Sequence, residues 1–221
     1  FGGQISVPIM LRSQGGTGRS AAAQHSQSLE AWVMHTPGLH LAMPADATDA
    51  YVLIKHALTL ADPVVFLEHK GLYAQSFPFN PESAPPWGRA KISRSGNDCS
   101  IICYSRMVQR SLEAAAQLAE LGGGGEVVDL RTLHPLDMET VTKSVRKTGR
   151  ALVVTEDCLT AGVSAAVSAR ITEENFEYLE EPVLRMAGED IPIPVSPALE
   201  AVSVPTNESI RQSILKLMRK K

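Results

Sequence analysis

Cysteine is scarce in this 221-residue chain: Cys99, Cys103 and Cys158 are all there is. An odd, sparse set cannot build a disulfide framework and points to a reducing compartment. Cys99 and Cys103 fall in one predicted strand, about 13 Å apart, too far to share a metal. Positive charge is not in excess. The chain carries 21 Lys and Arg against 24 Asp and Glu, a net −3, which leaves no footprint for nucleic acid; Arg219-Lys220-Lys221 reads as the basic end of a helix. No apolar run approaches the roughly 18 residues of a membrane span. No signal-peptide pattern opens the chain, and no initiator Met precedes Phe1. The Gly-rich stretch at Gly15–Gly18 is not G-x-G-x-x-G, and no lysine follows it in the P-loop position.

What remains is 44% hydrophobic and 20% charged, the balance of a globular protein long enough for one large domain or two modest ones. Ile5, Val7, Ile9 and Leu11 alternate, which predicts a buried lead-in with a strand over Val7–Leu11. Nothing precedes that strand to pair with it, so the chain is expected to be a fragment. Leu39–Met43 reads as a strand, and Asp46 or Thr48 as the cap of a helix running to Leu60. Val64–Glu68 suits a buried parallel strand. Pro78, Pro81, Pro85 and Pro86 then crowd a stretch that reads as an extended linker. Beyond it come strands at 100–105, 126–130, 151–155 and 183–186. Helices are expected at 107–121, 137–147, 163–174 and 207–218. The expected organisation is residues 1–80, a linker at 81–97, and 98–221 as a second α/β domain with a mostly parallel sheet. The glycine run Gly122–Gly125 supplies one helix C′ residue and carries no function here.

The stretch that organises the chain is Gly15–Trp32, GGTGRSAAAQHSQSLEAW. A Gly-rich turn lets the backbone approach another group closely. The polar cluster behind it, Gln24-His25-Ser26-Gln27, holds an imidazole, the side chain that exchanges protons in the physiological range. A helix is predicted to start near Ser26 or Ser28, with Ser26 as N-cap and Glu30 in its first turn, placing His25 at a helix mouth. His35, His40, His56 and His69 lack metal-ligand spacing. Trp87 reads as hinge packing, and Glu156-Asp157, at a strand's carboxyl end, as structural or interfacial.

The run Arg12–Trp32 resembles the beta subunit of the thiamine-diphosphate-dependent first component of 2-oxo acid dehydrogenase complexes, in the pyruvate and acetoin dehydrogenase branch. Further blocks agree in order: His35–Leu39, Met43-Pro44, Asp62–His69, Val128–Asp137 and Gly188–Pro194. The resemblance implies an incomplete pyrimidine-binding domain over residues 1–80 and a transketolase C-terminal-like domain over 98–221. It implies thiamine diphosphate with Mg2+, held mainly by an alpha subunit, with decarboxylation or cleavage of substrate and acyl transfer to lipoyl. His25 matches the active-site histidine, with Gln24, Ser26 and Gln27 as its support. The activating glutamate would lie upstream of residue 1, and neither Glu30 nor Glu68 matches it. A backbone-carbonyl site for K+ would fall on Ile9, Ala57, Leu58, Leu60 and Asp62. The partners implied are the alpha subunit, a second beta subunit and the lipoyl acyltransferase core, with no nucleic acid and no membrane. The compartment implied is bacterial cytoplasm or mitochondrial matrix. Two alternatives stay open: a non-catalytic assembly module, and a transketolase-group enzyme acting on sugars.

Overall fold

A computed structural model describes residues 3–219. The strands with continuous apolar runs lie at the centre of the larger sheet. In β5 (Cys99–Cys103) and β6 (Gly125–Asp129) every residue is buried, and β8 (Ala151–Cys158) is buried up to its last residue. Burial on both faces is what parallel strands between helices require. This five-stranded sheet has the order β4-β6-β5-β8-β9, with β9 at Leu184–Gly188. All neighbours are parallel except β4 (Lys91–Arg94), which is antiparallel to β6.

Helices cover both faces. On one, α4 (Arg106–Ala119) and α8 (Asn207–Arg219) bury Met107, Leu118, Ile210 and Ile214 against Ile101 and Leu152. On the other, α5 (Met138–Thr148) and α6 (Val163–Asn175) bury Val141, Val145, Val167 and Ile171 against Ile102 and Val153. The ends of α5 follow from its sequence. Asp137 accepts a hydrogen bond from Thr140 N at 3.2 Å, and Gly149 closes the helix at φ 68°.

The first region builds a smaller sheet from β1 (Met10–Gly15), β2 (His40–Ala42) and β3 (Val64–His69), all parallel, in the order β1-β3-β2. Around it lie α1 (Ala23–Ser26), α2 (Glu30–His35) and α3 (Ala47–Ala57). Its fourth strand is borrowed. β7 (Thr132–His134) leaves the second region and pairs antiparallel with β2. The two sheets also share one core, in which Leu41 and Val65 meet Tyr104, Leu130 and Leu133. Arg131 fastens the junction. It is fully buried; its Nε donates to Asp49 Oδ1 at 2.7 Å and its Nη1 to the carbonyls of Arg89 and Pro86.

Four expectations need correction. The lead-in is not buried: Ile5, Val7, Ile9 and Leu11 are 43–61% exposed. The ladder of β1 begins only at Met10, and β1 is the edge strand of its sheet. No helix starts at Ser26, which instead ends the single turn α1; α2 begins at Glu30 behind Leu29, without a side-chain cap. The helix over 47–57 stops before Leu60. The stretch read as linker holds a 3-10 turn at Pro81–Ser83 as well as β4. Among the described residues no helix is long and apolar enough to cross a membrane.

Candidate active site

Both sheets end at the same place. β1 stops at Gly15 beside His69, the last residue of β3. β5 stops at Cys103, and β8 runs past it to Glu156 and Asp157. Carboxyl ends of parallel strands are where α/β proteins place their sites. Between them lies a mainly apolar cavity of about 290 Å3, with Gly16, Glu30, Glu68, His69, Tyr104 and Glu156 on its wall.

The loop after β1 carries the glycines. Gly16 has φ 90°, and a Cβ there would lie 2.1 Å from His69 Nε2. Gly18 has φ 99°, and a Cβ there would lie 2.6 Å from Arg106 Nη1. Both positions therefore favour glycine for conformation, and Gly16 needs it for space as well, against the His69 ring. Beyond them Ser20 and Ala22 also hold positive φ, 53° and 57°. Three side chains of the second region grip this strained loop. Glu156 Oε1 accepts from Thr17 N at 2.6 Å, Glu200 accepts from the amides of Gly18 and Ser20 at 2.9 Å each, and Arg106 donates to the Thr17 carbonyl at 2.8 Å.

The loop delivers His25 in α1, exposed and two residues before Gln27 on the cavity wall. The Gln24 amide nitrogen lies 3.1 Å from His25 Nε2, and Lys70 donates to the His25 carbonyl. Ser26 and Gln27 do not reach the ring. Ser26 is fully buried with an unpartnered hydroxyl. Gln27 spans to the second region, accepting from Ile193 N at 3.3 Å and approaching Cys158 Sγ at 3.6 Å. Trp87 packs against the first region, stacked on His56 at 5.4 Å between centroids and edge-on to His40 at 6.1 Å.

Sequence reasoning missed the carboxylates. Glu30 does lie in the first turn of a helix, but it is buried and accepts from the Tyr104 hydroxyl at 2.9 Å. Burial and then the neighbouring charge of Asp157 push its carboxyl up to about 8. Burial also raises Asp157, against the hydrogen bond from Val163 N at 2.6 Å. Glu156 goes the other way. Burial alone would raise it, but hydrogen bonds from His69 and Thr17 N hold it at about 2. His69 Nε2 lies 3.0 Å from both Glu156 oxygens. Gly71 N donates to His69 Nδ1 at 3.0 Å, so Nε2 is the nitrogen whose proton faces Glu156.

These donors do not make a thiamine site unaided. The cofactor's ring needs a carboxylate to itself, and the three on the cavity wall are taken: Glu30 by Tyr104, Glu156 by His69 and Thr17, Glu68 by Arg12 at 2.6 Å and Tyr73 at 3.1 Å. No cluster of three or more His, Cys, Asp or Glu among the described residues could hold a metal. The carbonyl set is different in kind. Ile9 lies against the turn after α3, because Val64 N donates to the Ile9 carbonyl and Val7 N to that of Ala61, both at 2.9 Å. Leu60 N donates to the Ala57 carbonyl at 3.3 Å. The Ile9 and Ala57 oxygens each keep a second lone pair. The Leu58 and Asp62 side chains are exposed.

Residues 1–75 match the family described as transketolase, pyrimidine binding domain, and residues 88–210 match transketolase, C-terminal domain. A mitochondrial pyruvate dehydrogenase E1 component subunit beta-2 of Oryza sativa subsp. japonica is 45% identical over 94% of this chain and 57% of its own length. The corresponding subunit of Caenorhabditis elegans is 41% identical over 97% of this chain and 62% of its own. The beta subunit of an acetoin:2,6-dichlorophenolindophenol oxidoreductase of Cupriavidus necator is 41% identical over 99% and 65%. The chain thus spans about three-fifths of the curated relatives it matches. A solved structure titled split gene transketolase, inactive beta4 tetramer superposes with a TM-score of 0.79 over 96% of this chain and 67% of that one, at 24% identity, a likeness of fold. Two mostly parallel sheets meeting at their carboxyl ends and two matched domains in the same order lead to one conclusion: the chain belongs to the transketolase family, as a pyrimidine-binding domain followed by a C-terminal domain.

Proposed function

We propose that this chain serves as the beta subunit, or the greater part of one, of a 2-oxo acid dehydrogenase acting on pyruvate or of an acetoin dehydrogenase. The observation that carries the reading is the exposed His25 imidazole, presented two residues before the cavity-wall residue Gln27 by a loop clamped from the second region. Relatives bearing pyruvate dehydrogenase and acetoin oxidoreductase names support the reaction class. The organisation goes with it: pyrimidine-binding residues 1–80, a connecting stretch at 81–97 whose β4 joins the larger sheet, and a C-terminal domain over 98–221.

In this reading the alpha subunit contributes what the chain lacks, thiamine diphosphate with its Mg2+. This chain's part is to orient. The Gln24 amide fixes the tilt of the His25 ring, and Lys70 fixes its backbone. The imidazole then holds or moves a proton beside the substrate and during acyl transfer to a lipoyl arm. Gln27 and Ser26 tie the loop to the second region rather than the ring. A second beta subunit and the lipoyl acyltransferase core are the remaining partners, in bacterial cytoplasm or mitochondrial matrix. An alkali-metal ion on the carbonyls of Ile9, Ala57, Leu58, Leu60 and Asp62 would brace the start of β1. One observation favours a second reading, a non-catalytic assembly module: all three cavity carboxylates are already engaged.

The deciding experiment co-expresses the chain with an alpha subunit of a relative and measures thiamine-dependent acylation of a lipoyl domain, with pyruvate and acetoin in turn. Turnover that falls at least a hundredfold in His25→Ala is expected of a positioned acid–base group. Full turnover in that variant refutes the catalytic role of His25. Stable assembly without any turnover in the parent chain selects the assembly module.

A further inference from the structure

The loop that presents His25 is poor at holding itself. Over 16–22 it carries four positive φ angles, at Gly16, Gly18, Ser20 and Ala22. Two of these residues are not glycine, so the conformation costs energy that something outside the loop must offset. The amides of Gly18 and Ser20 are turned onto one side chain. Glu200 Oε1 accepts from Gly18 N at 2.9 Å and Oε2 from Ser20 N at 2.9 Å, with the Ser20 hydroxyl 3.4 Å from Oε2. Two alternate backbone N–H groups thus converge on one anion, in a concavity filled by the protein's own carboxylate. Glu200 is only 3% exposed, and its own backbone is held. Its N–H bonds the Ser196 carbonyl at 2.8 Å within α7 (Pro197–Val202), and its carbonyl accepts from Ser203 Oγ at 2.8 Å. Ser203 in turn is tied to Glu189, just past β9, at 2.9 Å. A rigid strut thus runs from the far edge of the larger sheet to a loop about 180 residues earlier in the chain.

We propose that Glu200 is a positioning residue for His25: its carboxylate fixes the backbone of the 18–20 turn and so sets where the loop presents the imidazole. This deepens the catalytic reading of His25 and rests on it for its functional consequence, though the clamp itself can be measured without any cofactor. Glu156 and Arg106 secure the neighbouring Thr17 independently, which provides an internal reference.

The test is residue-resolved amide hydrogen exchange on the chain as it exists, by NMR, for wild type, Glu200→Gln and Glu200→Asp. Gln keeps the volume but offers one acceptor oxygen, and Asp keeps the charge but withdraws it by about 1.5 Å. Loss of one charge-assisted bond corresponds to about tenfold or more in protection. At least one of Gly18 and Ser20 should therefore exchange at least tenfold faster in Glu200→Gln, and both in Glu200→Asp. Thr17 and the core of β5 should stay within about twofold of wild type. The ring resonances of His25 should shift while those of His56 do not. Unchanged protection at Gly18 and Ser20 in both variants overturns the clamp. So does a uniform rise across loop and core, which would mean general loosening. In the assembled enzyme, Glu200→Gln should lower kcat about tenfold with substrate KM unchanged, and an unchanged kcat overturns the link to His25. If His25→Ala itself retains full turnover, the catalytic reading falls, and the exchange data still decide the clamp.

Discussion

Replacing Glu30 by Gln should stabilise the protein, and by an amount that depends on pH. Glu30 is buried, bonded to the Tyr104 hydroxyl and close enough to Asp157 to feel its charge, and its carboxyl rises from an ordinary 4.5 to about 8. The folded state therefore keeps a proton that the unfolded chain releases, and stability falls as pH rises from 4.5 through 8. The slope is about 1.4 kcal/mol per pH unit. Between 4.5 and 7 that amounts to about 3 kcal/mol. Gln is the isostere of the protonated acid and still accepts from Tyr104, so Glu30→Gln removes the titration without removing the bond. The variant should be about 3 kcal/mol more stable than wild type at pH 7 and less than about 1 kcal/mol more stable at pH 5. Urea unfolding at pH 5, 6, 7 and 8 reads this directly. With a slope near 3 kcal/mol per molar, the midpoint gap at pH 7 is about 1 M. The acid limb is separate. Glu156 is held at about 2, so its contribution is present above 4.5 and disappears as pH falls from there towards 2. Glu30→Gln should leave that limb alone. A gap of the same size at pH 5 and pH 8 would refute the assignment of the alkaline limb to Glu30.

Two further outcomes test the junction and the loop. Arg131→Met strands Asp49 and the carbonyls of Arg89 and Pro86 without their donor, and should cost about 3–5 kcal/mol in urea unfolding; adding Asp49→Leu should recover part of it, because the lone buried charge is gone. Gly16→Ala and Gly38→Ala separate conformation from space: both residues sit near φ 90°, but a Cβ at Gly38 meets nothing within 4 Å whereas one at Gly16 meets the His69 ring. Gly38→Ala should cost about 1–2 kcal/mol from backbone strain alone, and Gly16→Ala clearly more, so equal midpoints would contradict the close approach.

The larger sheet was legible because its strands are buried on both faces. CSIIC, GEVVD and ALVVTEDC are runs that only a central parallel strand uses, and Asp137 and Gly149 bracket α5 with unambiguous caps. The strand β7 was not legible. Three residues, Thr132-Leu133-His134, carry no periodicity, and their pairing with β2 depends on Arg131 being buried at φ 58° against Asp49, 82 residues away. The alternation from Ile5 to Leu11 read as burial for a comparable reason: periodicity reports which residues share a face, not whether anything covers it. In the site, local sequence singled out His25 and the glycines, since small residues and a polar cluster are visible in one window. It put Glu30 in a first helical turn and Glu156 at a strand end without revealing that either is buried and bonded, and it passed over Glu200. A carboxylate in a first helical turn or at a strand end ordinarily faces water, and the partners that bury these three lie 74 to 182 residues away.

That distance bears on what the second domain is for. Had it served assembly alone, its contacts with the first domain would be apolar and could be exchanged for others. Besides the shared apolar core, it contributes three charged side chains to one seven-residue turn, a strand to the other sheet and a buried arginine to α3. Buried charges are costly unless each finds its partner in good geometry, so contacts of this kind fix a single relative placement of the domains rather than a range. The loop bearing His25 takes its shape only in that placement, because the carboxylates that compensate its positive φ angles belong to the other domain. A chain cut between the two would lose the strand over Thr132–His134 and the anchors of Thr17, Gly18 and Ser20 together. The C-terminal domain is thus part of the apparatus that positions the imidazole.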